Sequence, residues 1–260
     1  MKASCSSLGC SIYCDNHVHT NLCGHAKGEM EEYVQAAISK RLKRIVFLEH
    51  MEEGISAPES SWLSESDFDY YFDEGKRLQG KYQDIIEIGM GVECGYNPEY
   101  KETLKRRLAK RKWDQIGVSC HFLKIEGDVH HLNLLSKKPE NVKRATDVDA
   151  NILFSRYLDT LLEAITELSG SVLCHLDAAF RWVPDHTLLE HHYQKIDLLL
   201  AKAAARNMAL EINTSGINIR NEPFPNSRIV DLAIQHKMTF QLGSDAHKPG
   251  DVGNHFNLFS

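Results

Sequence analysis

The chain has 260 residues, of which 42% are hydrophobic and 25% charged, and its formal net charge is −6. This composition is typical of soluble globular proteins, and the length suits a single α/β barrel. A net negative chain is a poor match for nucleic acid or an anionic membrane surface, and no apolar run reaches the roughly 18 residues that a membrane-spanning helix needs. We therefore expect neither nucleic acid nor a membrane as a partner.

Short apolar runs alternate with amphipathic stretches along the chain. The predicted strands are Ser11–Cys14, Arg44–Leu48, Ile85–Val92, Gln115–Cys120, Ser171–Cys174, Met208–Ile212 and Thr239–Gly243. The predicted helices are Glu29–Lys40, Glu65–Tyr82, Pro98–Lys112, Asp149–Leu168, Leu188–Asn207 and Asn226–His236. This alternation predicts parallel βαβ units, arranged either as a barrel or as a doubly wound open sheet.

The cysteines number seven and include no Cys-x-x-Cys pair. An odd count without that spacing favours reduced thiols in a cytoplasmic protein. The N-terminal sequence MKASCSSLGCSIYC has no continuous apolar segment of the kind found in signal peptides. We therefore predict a cytoplasmic location.

Histidine and acidic residues follow the C-terminal ends of six of the seven predicted strands. They include His-x-His and Asp-x-His pairs, and residues at i and i+2 on a strand point to the same side. In a barrel these strand ends meet on one face, where active sites lie. The candidates are His17, His19, His25, His50, Glu93, His121, His175, Asp245 and His247.

These nine residues exceed the needs of one catalytic ion, which takes about three protein ligands and keeps one position open. Two or three ions that share a bridging carboxylate fit the number better. Imidazole and carboxylate ligands suit zinc, manganese or iron. Cys174 directly precedes His175, and neighbours on a strand face opposite sides, so we expect its thiol to pack against the helices instead of joining the site.

Together these motifs resemble, in order, those of the polymerase and histidinol phosphatase (PHP) family. The matching segments are Asp15-Asn-His-Val-His19, Cys23-Gly-His25, Glu49-His50, Gly91-Val-Glu93, Ser119-Cys-His121, Cys174-His-Leu-Asp177, Glu211-Ile-Asn-Thr-Ser-Gly216 and Gly243-Ser-Asp-Ala-His247. The resemblance implies a distorted (β/α)7 barrel, with the metal site at the C-terminal ends of its strands and residues 1–260 forming one domain. Family members usually end in a closing helix, which we expect to be short or missing here.

The resemblance also implies a site with three divalent metal ions. One ion would be held by His17, His19, Glu93 and Asp245. Glu93 would bridge to a second ion, which His121 and His175 would also hold. His25, His50 and His247 would hold the third ion.

The short length and the Glu-Ile-Asn-Thr-Ser-Gly segment resemble the histidinol-phosphatase branch. This branch implies hydrolysis of L-histidinol phosphate to L-histidinol and phosphate in histidine biosynthesis, with Asp245 and Glu93 as catalytic residues. The alternatives are a phosphatase for another small phosphoester, an amidohydrolase-type barrel enzyme and a metal-binding protein without catalysis. Amidohydrolase-type sites also begin with His-x-His, but they usually lack an acid in the position of Glu93.

Four further residues are candidates for supporting roles. Arg181 and Arg220 could bind phosphate through their planar guanidinium groups, and Ser215 lies in the same turn region as Arg220. Asp15 shares a strand face with His17, so it either supports a metal-binding imidazole or serves as a cap or surface charge. The expected partner is thus a small phosphorylated substrate, while the oligomeric state stays open.

Overall fold

The computed structural model describes residues 4–179, 181–183 and 187–260. Its strands are β1 Cys14–Val18, β2 Arg44–Met51, β3 Glu87–Gly95, β4 Gln115–Ser119, β5 Phe122–Leu123, β6 Leu132–Asn133, β7 Val172–Leu173, β8 Ala209–Asn213 and β9 Phe240–Gly243. Its α-helices are α1 Cys5–Leu8, α2 Met30–Ser39, α3 Glu65–Tyr82, α4 Lys101–Leu108, α5 Pro139–Thr146, α6 Ala150–Glu167, α7 Glu190–Ala205, α8 Ile217–Arg220 and α9 Ser227–Gln235.

Parallel strands form one sheet in the order β1-β2-β3-β4-β7-β8-β9, and β5 pairs with β6 in a separate antiparallel hairpin. The two edges of the large sheet meet, because Val18 and Ala246 form a parallel bridge. Two backbone hydrogen bonds join the same edges, from His19 N to Ala246 O at 2.9 Å and from Asp245 N to His17 O at 2.8 Å. The predicted distorted (β/α)7 barrel is therefore confirmed.

The first three strands continue further than predicted, whereas β4 and β7 each end one residue earlier, at Ser119 and Leu173. The first strand is Cys14–Val18 instead of Ser11–Cys14, and β2 and β3 extend through Met51 and Gly95. The reason is that the ends of these strands carry polar side chains that are buried inside the barrel mouth, so an apolar run underestimates the strand. His17, His50 and Glu93 consequently lie on strands and not in the loops after them.

The helices pack their apolar faces around the sheet. In α6, Leu158, Leu161 and Ile165 are almost fully buried, and the side chain of Asp149 caps the helix by accepting hydrogen bonds from the first turn. The predicted helix Pro98–Lys112 is shorter, because a 3-10 turn at Pro98–Tyr100 precedes α4. After β9 the described chain forms 3-10 turns at Pro249–Asp251 and Phe256–Phe259.

Two cysteine predictions were wrong. Cys5 and Cys10 form a disulfide across the turn that follows α1, so the thiols are not all reduced in this structure. Cys174 packs with the buried side chains of Val46, Leu48 and Val172, so its thiol does not face the helices. His175 has a φ of 25°, and this irregular backbone lets consecutive side chains depart from strand alternation.

The helices of the described residues include none that is both long and apolar enough to cross a bilayer.

Candidate metal centre

Glu93 lies at the centre of the site and is fully buried. Its Oε1 atom is 3.0 Å from Nε2 of His121 and 2.7 Å from Nε2 of His175. Its Oε2 atom is 3.0 Å from Nδ1 of His50 and 3.5 Å from Nε2 of His17. One carboxylate therefore contacts imidazoles from four different parts of the barrel mouth, as a bridging ligand would.

His17, His19 and Asp245 form a second group beside Glu93. The Nε2 atoms of the two histidines are 2.9 Å apart, and Oδ1 of Asp245 is 3.3 Å from Nε2 of His19. Backbone pairing between the strand ends brings Asp245 to this position, where its φ is 54°. The Asp245 side chain keeps 10% of its surface exposed, so it can meet a solvent molecule or a substrate.

His25 and His247 form a third group with His50. The Nε2 atoms of His25 and His247 are 2.8 Å apart, and the ring of His25 stacks on that of His50. His25 comes from the loop after a 3-10 turn at Asn21–Cys23, which the side chain of Thr20 caps. The structure thus brings all nine predicted ligands to one face of the barrel.

Hydrogen bonding shows that this third group suits a cation. Nδ1 of His247 lies 2.9 Å from the carbonyl oxygen of Asp245, and Nδ1 of His25 lies 3.2 Å from that of Cys23. A carbonyl oxygen only accepts, so both Nδ1 atoms carry the proton and both Nε2 atoms present lone pairs. Two lone pairs that face each other at 2.8 Å repel unless a cation lies between or beside them.

Unpaired atoms lie in the rest of the site as well. Among the described residues, Nδ1 of His19 is buried without a hydrogen-bond partner, and Nδ1 of His50 and Oε2 of Glu93 lie 3.0 Å apart without the geometry of a hydrogen bond. Orphaned buried polar groups are costly and usually indicate a missing ligand or ion. Hence the donor set, its nitrogen and carboxylate chemistry and its unpaired atoms all fit divalent metal ions.

The charges of the site shift the pKa values of its members. Burial acts to raise the pKa of Glu93, but the nearby charges of His121, His175 and His17 hold it well below its usual range. Burial acts to lower the pKa of His17, yet Glu211, Glu93 and Asp245 raise it well above 6.5. Burial, with the neighbouring charge of His50, lowers the pKa of His25 to about 4, so this imidazole is neutral and free to bind metal at pH 7.

Two acids that the sequence prediction did not include orient the imidazoles. Oε1 of Glu52 accepts a hydrogen bond from Nδ1 of His121 at 2.7 Å, and Oε1 of Glu211 accepts one from Nδ1 of His17 at 2.6 Å. Such bonds fix the ring orientation and direct Nε2 at the site. Both acids could have been proposed from the sequence, because each lies at or near the end of a strand and neither belongs to the predicted ligand set.

Asp15 is fully buried, and it supports the site through the backbone instead of through an imidazole. Its carboxylate accepts hydrogen bonds from Ser244 N at 2.9 Å, Ser244 Oγ at 2.5 Å and Gly253 N at 2.7 Å, with a longer contact to His17 N. Asp15 thereby fastens β1, which carries His17 near its end, to the residue before Asp245 and to Gly253.

The three predicted substrate-binding residues have different surroundings. Arg181 is half-buried, and its Nε atom is buried without a hydrogen-bond partner. Burial lowers the pKa of its guanidinium, and the charges of Asp245 and Glu93 partly offset that effect. Arg220 binds both carboxylate oxygens of Asp177 at 3.0 Å. The hydroxyl of Ser215 donates to the side chain of Asn213 at 2.6 Å. The Arg181 guanidinium thus lies within reach of the charges of the ligand groups.

Comparison with known proteins gives consistent results. A family model described as the PHP domain matches residues 15–215. A protein named "Probable histidinol-phosphatase" from Deinococcus radiodurans is 29% identical over 249 residues, covering 94% of this chain and 89% of that protein. Histidinol-phosphatase from Bacillus subtilis is 23% identical over 262 residues, covering 94% of this chain and 97% of its own. The crystal structure of histidinol phosphate phosphatase from Lactococcus lactis with zinc, L-histidinol and phosphate superposes with a TM-score of 0.74 at 21% identity, covering 95% and 92% of the two chains.

Proposed function

The chain belongs to the PHP domain family, and from this membership we propose that it is a metal-dependent phosphomonoesterase that hydrolyses L-histidinol phosphate to L-histidinol and phosphate. The observation that carries the proposal is the convergence of four imidazoles on the single buried carboxylate of Glu93. The histidinol-phosphatase names of relatives whose alignments cover more than nine-tenths of this chain support the substrate. We treat residues 1–260 as one PHP-type domain.

Three divalent ions are proposed, and each has its own ligand group. The first would be held by His17, His19, Glu93 and Asp245, the second by Glu93, His121 and His175, and the third by His25, His50 and His247. Zinc is favoured because a structural neighbour holds it, while manganese and iron accept the same nitrogen and oxygen ligands.

When bound, such ions neutralise the phosphate dianion and lower the pKa of water towards 7, which makes a nucleophile available at neutral pH. Within the protein, Asp245 is placed to orient the attacking water and accept its proton, because its carboxylate borders both His19 and solvent. Glu93 holds its negative charge at the centre of the imidazole ring cluster, since its pKa lies well below the usual range.

Arg181 is proposed to bind the phosphate group. Its Nε atom is buried without a hydrogen-bond partner, which costs free energy, and a dianionic ligand would remove that cost. Arg220 is proposed not to bind phosphate, because its terminal nitrogens already donate to the carboxylate of Asp177. Ser215 is likewise proposed not to bind substrate, because its hydroxyl donates a hydrogen bond to Oδ1 of Asn213.

We propose a cytoplasmic location, which the buried free thiols of Cys23, Cys94, Cys120 and Cys174 support. In that compartment the Cys5–Cys10 bond would be open to reduction.

The proposal is tested with a panel of phosphomonoesters that includes L-histidinol phosphate, nucleotide and sugar phosphates and p-nitrophenyl phosphate. The protein is first reconstituted with zinc, manganese or iron(II), and phosphate release is measured with and without chelator. We expect the highest kcat/KM for L-histidinol phosphate and loss of turnover with chelator. Metal-independent turnover, or preference for another ester, would contradict the reaction or the substrate respectively.

A further inference from the structure

Strand β8 lies between β7 and β9 in the barrel, yet none of the nine candidate ligands lies on it or in the 3-10 turn that follows it. Two polar side chains near its C-terminal end, Glu211 and Asn213, are buried, with exposed fractions of 1% and 0%. Burying a carboxylate and an amide costs free energy unless both are well partnered. Their partners therefore indicate what this strand contributes.

Glu211 contacts two candidate ligands at once. Its Oε1 accepts the Nδ1 hydrogen of His17 at 2.6 Å, and its Oε2 accepts the backbone N–H of His175 at 2.8 Å. To reach His17 on β1, the side chain must cross β9, and Gly243 leaves the space for this. A Cβ atom at position 243 would lie 2.1 Å from Oε1 of Glu211, so a larger residue there would displace the carboxylate.

Asn213 links the same carboxylate to a third ligand. Its Nδ2 donates to Oε2 of Glu211 at 3.3 Å and to Oδ2 of Asp245 at 3.4 Å. Its Oδ1 accepts hydrogen bonds from N and Oγ of Ser215 at 3.1 and 2.6 Å. These bonds fix the orientation of the amide, so that Nδ2 points towards Glu211 and Asp245. Oδ1 of Asp245 is left to face His19.

Glu211 and Asn213 form hydrogen bonds with the two candidate ligands that have positive φ values. His175 and Asp245 have positive φ values of 25° and 54°, a region that costs free energy for residues other than glycine. Glu211 bonds to the backbone of the first, and Asn213 bonds to the side chain of the second.

We propose that Glu211 and Asn213 are positioning residues, which hold His17, His175 and Asp245 in place from behind and bind neither ion nor substrate themselves. Glu211 approaches His17 at Nδ1, the ring nitrogen opposite the one that faces His19, so it lies outside the ligand group. The inference rests on the proposed function, because it takes those three residues as metal ligands.

The test measures zinc affinity by competition with a chromophoric chelator in Glu211→Gln and Asn213→Ala. Glutamine offers one acceptor where His17 and His175 together present two donors, so one bond must be lost. We expect each variant to bind zinc about 10- to 100-fold more weakly, the usual effect of removing a partner of a metal-binding imidazole. The visible spectrum of the cobalt-substituted protein should change as well. Gly243→Ala should also weaken zinc binding, because an added Cβ would lie 2.1 Å from Oε1 of Glu211 and 2.7 Å from the Cβ of His17, so it displaces both the carboxylate and the ligand that the carboxylate holds.

Two matched controls separate positioning from general stability. Glu126→Gln changes an exposed acid and should leave zinc affinity unchanged. Tyr71→Phe removes buried hydrogen bonds to Phe47 O and Gly91 O that touch no ligand, so it should lower the Tm with zinc affinity retained. Wild-type zinc affinity and an unchanged cobalt spectrum in both Glu211→Gln and Asn213→Ala would overturn this inference alone. A wild-type protein that binds no metal would instead overturn the proposed function, and this inference with it.

Discussion

His25 and His247 face each other across 222 positions of sequence, with their Nε2 atoms 2.8 Å apart. Both rings use Nδ1 to donate to a backbone carbonyl, so both present lone pairs to the same point. This pair is the clearest indication in the structure that neutral imidazoles have been gathered for a cation. It depends on a loop near the start of the chain and a loop near its end.

His247→Ala should remove one metal ion per chain while the fold persists, because the site loses one of three imidazoles at its outer edge. We expect roughly 100- to 1,000-fold lower kcat, by the loss of charge stabilisation near the phosphate. Metal analysis and circular dichroism provide the measurements. His236→Ala, which removes a partly exposed histidine paired with Asp197, is the control. Unchanged metal content in His247→Ala would contradict the assignment of a third ion.

Glu93→Ala should abolish nearly all activity and reduce the metal content by more than one ion, because the bridging carboxylate serves two ligand groups. The cluster of imidazoles would also lose its central negative charge. Elemental analysis of the purified variant measures this directly. Glu87→Ala, at the exposed start of the same strand, should behave as wild type. A Glu93→Ala protein with full metal content would disprove the bridging role.

Arg181→Met should weaken phosphate binding while metal content stays normal. A hydrogen bond to a charged group contributes about 1.5–3 kcal/mol, which corresponds to roughly 10- to 100-fold in kcat/KM. Inhibition by inorganic phosphate should weaken in parallel, and this measurement is independent of the ester used. Arg156→Met serves as the control, since Arg156 is exposed on α6. Phosphate inhibition equal to that of wild type would exclude Arg181 from the phosphate site.

Glu49→Gln should make the protein more stable than wild type at pH 8 and about equally stable near pH 4.5. Burial raises the pKa of Glu49 to about 8, only partly offset by hydrogen bonds from Thr20 N and Oγ1. The folded state therefore holds this proton more tightly than the unfolded state, whose pKa is 4.5. Stability from this group is complete below pH 4.5 and is lost as the pH rises to 8.

Denaturant unfolding of wild type and Glu49→Gln between pH 5 and pH 8 measures this effect. Glutamine keeps an acceptor for both bonds from Thr20, and any stability from bound metal is common to both proteins. The difference in unfolding free energy should grow with pH, to the order of a few kcal/mol. Parallel curves would show that Glu49 is ionised in the folded protein. Glu126→Gln should run parallel to wild type.

The sequence was enough to predict the barrel and the set of residues gathered at its mouth. His17, Glu93 and Asp245 could be chosen because parallel strands end at one face of the barrel. Residue type and position at a strand end are therefore enough to predict which side chains lie close together. The same reasoning could not predict hydrogen-bond partners of the ligands, because these depend on how far each side chain extends. Glu52 could not be assigned to His121 from their order, since the distance between them depends on how two strands are staggered.

Backbone irregularity explains the other differences. Cys174 was placed on the wrong face because alternation assumes a regular strand, and His175 has a positive φ. Arg220 was predicted as a phosphate ligand from its residue type, and its bonds to Asp177 could not be read from the sequence because they depend on the folded turn. For both residues the sequence shows the residue type and its local pattern, whereas the side-chain contacts depend on the tertiary structure.

The closure between β1 and β9 links activity to the completion of folding. Because Val18 pairs with Ala246, the first and last strands must dock before the ligands near both chain ends share a centre. Contacts so distant in sequence form late and slowly in folding. A chain emerging from the ribosome therefore completes the first and third ligand groups only after its last strand is made, because Asp245 and His247 follow that strand.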